Sequence, residues 1–513
     1  MILIVDTSRN LYGCGMPDSF WLLDVRRPGT DRRLDLLIDN GTVTAVDDHD
    51  VGVRADRQIV DADGRWIIPG LWDGHVHTSQ FAIQQSRVDL SGATSAVHAA
   101  QLVSDALAGP YGAARPADEP VVGARFQDGL WPDVADKRVL DERFGDLPVI
   151  MVSHDLHSGW SSSAALQLMG FADHPTGVLT ETEWMDALAR IPQPSGTARV
   201  DALVEQAIRT GLSRGLVGIR ELEFSDNLTD WHRRHTAGGA PIRVVCGIRE
   251  PQLGTDATRG LVDGEALPGG AGLLTMGPVK VFVDGALNSR TALCHQPYPG
   301  TDNRGEQVLD RDRLTMIMKE AERQRLTMAV HAIGDLANTI ALDCFARTGV
   351  SGRIEHAQLL APDDLPRFAQ LGVTASLQPW HAIDDWQIAD RHWPGWTGRS
   401  FPLAELVESG ATVELGSDAP VAPMDPWRTI AAAVDRAGLI GQPWHPETQI
   451  PIADAIACST LGRGTVTAGQ PADLVLLDAD PYTLTAPELI DIDVYATAVA
   501  GRWLFGPPAL VDR

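Results

Sequence analysis

Apolar residues along this chain come in short runs, each closed by a polar or glycine-rich turn and followed by a stretch of helical periodicity. Eight such runs read as strands: Leu71–His77, Leu216–Glu221, Ile242–Ile248, Val279–Val283, Thr327–His331, Arg353–His356, Val373–Leu377 and Thr412–Gly416. Short buried strands alternating with helices predict a parallel sheet, and eight of them predict a (β/α)8 TIM barrel. The spacing is uneven. About 140 residues separate the first two runs, far more than one crossover requires. That stretch, which holds the apolar run Pro148-Val149-Ile150-Met151-Val152, is expected to be an inserted subdomain or an elaborate lid.

Both ends of the chain are strand-rich. Leu34–Asp39, the turn Asn40-Gly41 and Thr42–Val46 form a strong hairpin signal. Ala472–Asp478 and Ala496–Ala500 read the same way. Neither end has enough residues for its own core, so the two are expected to combine. The predicted organisation is residues 1–68 as the N-terminal part of a small β-sandwich and 69–445 as the barrel, with its insertion at about 85–210. Residues 446–513 would form a closing helix and the C-terminal part of the sandwich.

Composition narrows the class without naming a function. The 513 residues are 44% hydrophobic and 21% charged, as in ordinary globular proteins. A net charge of −26 argues against nucleic acid or an anionic membrane as partner and leaves a small molecule as the expected one, with a homodimer left open. Met1–Val5 lacks a basic flank and is followed at once by Asp6, unlike a secretory signal. No apolar run approaches the roughly 20 residues that span a bilayer. Five scattered cysteines without a C-x-x-C pair suit free thiols in a reducing compartment, so a cytoplasmic location is expected.

The candidate chemistry sits at strand ends. His75 and His77, spaced i, i+2 at the end of the first strand, point to one side of a sheet and suit a divalent metal. Lys280 lies in the fourth strand, His331 closes the fifth, His356 closes the sixth, and Asp418 follows the eighth. Any one of these residues could be an ordinary core group or a helix cap. Six of them at successive C-terminal strand ends, where barrel enzymes carry their chemistry, point to a metal site. Zinc fits the histidine-rich set, with one or two ions per chain, and other divalent metals stay open.

The same residues, with Val-Lys-Val-Phe-Val-Asp-Gly-Ala-Leu-Asn-Ser-Arg-Thr-Ala, His-Ala-Ile-Gly-Asp and Arg-Ile-Glu-His-Ala-Gln, resemble the amidohydrolase superfamily. Within it they resemble the family 3 branch, which includes N-substituted formamide deformylases. The resemblance implies that His75, His77 and Asp418 bind one metal. His331 and His356 would bind a second, or His331 would help hold the first. It also implies that Lys280 is carboxylated and bridges two ions, since a free ammonium has no lone pair to ligate with. Asp418 and His356 would carry the catalytic roles. The implied reaction is hydrolysis of a C–N bond in an amide, N-formyl or related substrate by a metal-activated hydroxide. A mononuclear deaminase of a ring amidine and a non-catalytic binding protein on the same scaffold are the competing readings.

Substrate contacts are expected from Asp155, His157 and Trp160 in the insertion, from Arg353 as a carboxylate binder, and from Trp380 in the Trp-rich stretch after the seventh strand. Glu221, Glu223 and Glu355 are candidates to orient ligand histidines. His295, His381 and His392 stand outside the expected metal set because they do not end strands.

Overall fold

The computed structural model describes residues 19–49, 57–117, 119–154, 156, 158–191, 196–239 and 241–507. The chain divides into two compact units, Met1–His77 with Ala207–Arg513, and Thr78–Gln206.

The first unit contains an eight-stranded parallel sheet. Its strands are β1 (Leu71–Val76), β2 (Leu216–Glu221), β3 (Arg243–Arg249), β4 (Leu274–Phe282), β5 (Met328–Ala332), β6 (Gly352–His356), β7 (Thr374–Leu377) and β8 (Val413–Leu415). Each pairs with its neighbour in sequence order. The barrel closes where Asp418 N–H donates to the His75 carbonyl and His77 N–H to the Ala419 carbonyl, both at 2.8 Å. Two glycines permit that seam. A Cβ on Gly74 would lie 2.8 Å from the Leu415 oxygen, and one on Gly416 would lie 2.7 Å from the His75 nitrogen. No side chain fits at those separations. All eight expected strands are present, with ends shifted by a few residues.

Period-2 alternation explains which side chains enter the barrel. On β6, Arg353 and Glu355 point inward, while Ile354 packs outward in the apolar layer with Val330, Phe345 and Phe368. Inward charges from β2, β6 and β8 meet across the interior. Arg220 forks onto Glu414 at 2.7 and 2.9 Å, and Arg353 reaches Glu414 at 2.7 Å and Glu355 at 2.6 Å. The floor of this barrel is therefore an ion-pair layer rather than branched apolar side chains.

The ends of the chain share a second eight-stranded sheet in the same unit. Leu474–Leu477, from the C-terminal part, pairs antiparallel with Trp66–Pro69, from the N-terminal part. Alternate residues such as Phe20 and Leu22, Leu36 and Ile38, and Leu474 and Leu476 meet in one core. In the Asn40-Gly41 hairpin both turn residues have positive φ, 47° and 74°, as the twist of a tight two-residue turn requires.

The second unit holds a five-stranded mixed sheet in the order Val178–Thr180, Ser158–Ser161, Val149–Ser153, Val121–Phe126, Val88–Asp89. The apolar run at 148–152 is its wholly buried central strand. No described helix is long and apolar enough to cross a membrane.

Candidate metal centre

At the C-terminal end of the barrel the side chains of β1, β6 and the turn after β8 converge. Donor atoms of His75, His356 and Asp418 lie within 4.8 Å of one another, and all three residues are buried. His77 Nε2 stands 3.5 Å from Asp418 Oδ1. The His331 ring lies 4.5 Å from that of His356, centroid to centroid.

Hydrogen bonding fixes the tautomers. His75 Nδ1–H donates to Glu355 Oε2 at 2.7 Å, because a carboxylate can only accept. Its lone pair is therefore on Nε2, which faces Asp418 Oδ1 at 3.3 Å. His331 Nε2–H donates to the Gly285 carbonyl at 3.1 Å, leaving the lone pair on Nδ1. Burial, reinforced by the Lys280 charge, lowers the pKa of His75 to about 4 and that of His331 to about 3. Burial lowers His356 as well, with His331 adding to it. Asp418 goes the other way. Burial favours its neutral form, yet His75 and the His77 hydrogen bond hold the carboxyl well below its ordinary range. His75 thus turns a lone pair towards an anionic oxygen with no proton between them, while His77 donates to the same carboxylate. A divalent cation satisfies that arrangement.

Orphaned atoms make the same case. His77 Nδ1, His356 Nδ1 and Lys280 Nζ are buried without a hydrogen-bond partner. Lys280 forms no ion pair among the described residues. Asp284, its sequence neighbour, instead accepts backbone N–H groups from Leu293, Ile333 and Gly334 at 2.8, 3.0 and 2.8 Å. Burial pushes Lys280 down to about 8, although Glu355 and Asp418 resist it. Such an amine has a sizeable neutral fraction near physiological pH.

Local backbone geometry departs from simple alternation where it matters. Inward Arg353 and Glu355 would leave His356 pointing outward. His356 instead takes φ 76° and Ala357 φ 41°, which turns the imidazole into the site. Asp418 sits at φ 57°, anchored on its flank where Asp73 Oδ1 accepts Ser417 N–H at 2.8 Å. The tight cluster accordingly joins His356 to His75 and Asp418, whereas the sequence pairing grouped His356 with His331.

Several expected substrate contacts fall elsewhere. Arg353 is 5% exposed, and Glu355, Glu414 and the Gly74 carbonyl occupy its guanidinium, so it supports the floor and has no fork free for a ligand. Trp160 is completely buried in the core of the second unit, edge-on to Trp131 at 6.3 Å, and acts in packing. Asp155 and His157 lie outside the described residues. Trp380 is half-buried beneath the Arg428 guanidinium at 5.1 Å, while Trp393 is fully buried in an apolar cluster with Leu287, Tyr298 and Trp444. Glu221 accepts the Trp231 indole N–H at 3.0 Å and the Glu223 N–H at 3.2 Å. The described cysteines are free, and burial pushes Cys294 and Cys458 up to about 12, which removes them as nucleophiles at neutral pH.

His381, which sequence reasoning set aside, belongs here. It starts the helix His381–His392 after β7, and its Nε2 stands 3.7 Å from Asp418 Oδ2. The available signal was its place four residues beyond a strand end, on the loop side where barrels keep their chemistry.

A sequence model of the amidohydrolase family matches residues 58–505. Protein LONG AFTER FAR-RED 3 of Arabidopsis thaliana is 27% identical over 494 residues, covering 87% of this chain and 83% of that protein. The N-substituted formamide deformylase of Arthrobacter pascens is 24% identical over 500 residues, covering 87% and 89%. Among solved structures, an uncharacterized metal-dependent hydrolase from Pyrococcus horikoshii superposes with TM-score 0.77 at 26% identity, covering 91% of this chain and 99% of that one.

Proposed function

The chain belongs to the amidohydrolase family, and from that premise we propose a metal-dependent hydrolase that cleaves the C–N bond of an amide, N-formyl or related substrate. The observation that carries this reading is the convergence of buried donor atoms of His75, His356 and Asp418 within 4.8 Å of one another at the C-terminal end of the barrel. His75, His77, His356 and Asp418 would hold a first ion. His331 and a carboxylated Lys280 would hold a second. Zinc suits these ligands. When bound, such a metal acidifies water and polarises a carbonyl oxygen.

The chain's own residues do the rest. Glu355 holds His75 in one tautomer and one orientation. Asp418, kept ionised, accepts the proton of the attacking water at Oδ2 and returns it to the departing nitrogen, so that amide and water become acid and amine. His381 Nε2 lies 3.7 Å from that oxygen. On Lys280, the neutral amine adds carbon dioxide, forming an N–C bond and releasing one proton. The resulting carbamate has the oxygen ligands that the ammonium lacks.

A second reading follows from the tight three-residue cluster, which suits a single ion: deamination of a ring amidine. A hydrolysis screen on metal-loaded protein separates the two. Acid release from N-formyl, N-acyl or cyclic amide substrates is the expected result. Ammonia release from ring amidines, with no amide cleaved, would replace the first reading with the second.

A further inference from the structure

Beside the metal centre, three side chains form a platform to which the proposed chemistry assigns no role. Arg249 ends β3 and is in register with Lys280 on β4, so both face the same side of the sheet. Its guanidinium lies 4.3 Å from the Phe224 ring centre and 5.2 Å from that of Phe282. The two phenylalanines stack on each other at 5.8 Å and 11°. Phe224 in turn stacks on His77 at 5.2 Å, and Phe282 contacts the His331 ring at 4.9 Å. The platform is thus continuous with two histidines of the site.

One guanidinium nitrogen of the platform is unspent. The other arginines of the barrel interior, Arg220 and Arg353, end on carboxylates. Arg249 forms no ion pair among the described residues, and its Nη1 is buried without a hydrogen-bond partner. Glu223, the neighbouring acid, accepts the Phe224 N–H at 2.8 Å with Oε1, and its charge favours the Arg249 cation from nearby. Two aromatic faces stabilise the cation without engaging its N–H donors. Phe224 is 54% exposed, a large apolar group open to solvent at the mouth of a polar site. A guanidinium with a free edge matches a carboxylate, and an open aromatic face matches a flat or apolar body.

We infer that Arg249, Phe224 and Phe282 form a carboxylate subsite, and that the substrate is an amide carrying a carboxylate next to a flat or apolar group. This rests on the C–N hydrolase reading for the reaction, but not for the binding. The test for binding uses benzoate and its neutral isostere benzamide, measured by calorimetry on metal-loaded and metal-stripped protein. Wild type is expected to bind benzoate about tenfold or more tightly than benzamide in both forms, as a hydrogen-bonded charge contributes. Arg249→Gln is expected to erase the difference, Arg249→Lys to keep part of it, and Phe224→Ala to weaken benzoate several-fold.

Equal binding of the two probes by wild type overturns the subsite. So does a preference that survives in Arg249→Gln or vanishes on metal removal, since the carboxylate would then sit on the metal. Should Arg249→Gln not fold, Phe224→Ala and Arg249→Lys decide, and unchanged benzoate binding in both overturns it. Turnover is read separately, with an N-formyl amino acid against its carboxamide. Wild type is expected to favour the acid in kcat/KM by about tenfold to a hundredfold. Benzoate preference without turnover of either substrate keeps the subsite and removes the hydrolase reading. Equal turnover without benzoate preference does the reverse.

Discussion

Asp418→Asn is expected to lower kcat by about a thousandfold or more while the protein stays folded. The carboxylate is the proton carrier of the proposed reaction and the oxygen that faces His75, His77 and His381. An amide has the same shape but neither the charge nor the basicity. Asparagine is also the right replacement for the backbone. Asp418 sits at φ 57°, a region that asparagine tolerates better than any other residue with a side chain, whereas alanine would add strain and confuse the result. Circular dichroism and a thermal melt check the fold, and steady-state kinetics check the loss. Activity within tenfold of wild type would remove Asp418 from the proton path.

The largest expected loss of stability is at Arg353. Arg353→Met leaves Glu355 and Glu414 facing each other's space in the barrel floor without the cation that pairs with both. Burial favours the neutral form of both acids. Arg353 nevertheless holds Glu355 well below the ordinary carboxylate range, and with Arg220 it holds Glu414 at about 2. Removing one partner of a buried pair costs about 3–5 kcal/mol, because the remaining charge must be protonated or stay uncompensated. The sign follows from the depressed pKa values. The stabilisation is present above the unfolded carboxylate pKa and is lost as pH falls through the folded one, so the variant's deficit should be full at neutral pH and shrink in acid. Denaturant titrations at neutral and acidic pH measure this. Adding Glu355→Gln to Arg353→Met should recover part of the loss, since it removes one stranded charge.

The barrel was legible because each strand is a short apolar run with its polar residue at the C-terminal end. The candidate metal site was legible because strand ends are where a barrel gathers its chemistry. His75 and His77 needed only the two-residue period. His356 did not follow from period, since a positive φ at the strand's last residue turns the ring inward. Arg353 was misread as a ligand-binding arginine, although the same two-residue period that places it inward also places Glu355 beside it. The partner across the barrel, Glu414, is distant in sequence and visible only once the sheet closes. His381 was missed because it starts a helix instead of ending a strand. Arg249 ends a strand that bears no histidine, so nothing in its local sequence marked it. The role of Trp160 depended on which face of a strand in the second unit is buried, and a tryptophan beside a glycine does not reveal that.

The central claim is that this barrel end is a metal centre, and metal content measures it most directly. Wild-type protein, purified without chelator and analysed by inductively coupled plasma mass spectrometry, should carry one or two tightly held divalent ions per chain. A second ion should depend on bicarbonate and disappear in Lys280→Arg, while His75→Ala with His356→Ala should remove the first ion. A wild-type protein that takes up no divalent metal, or a double variant that holds as much as wild type, would contradict the account.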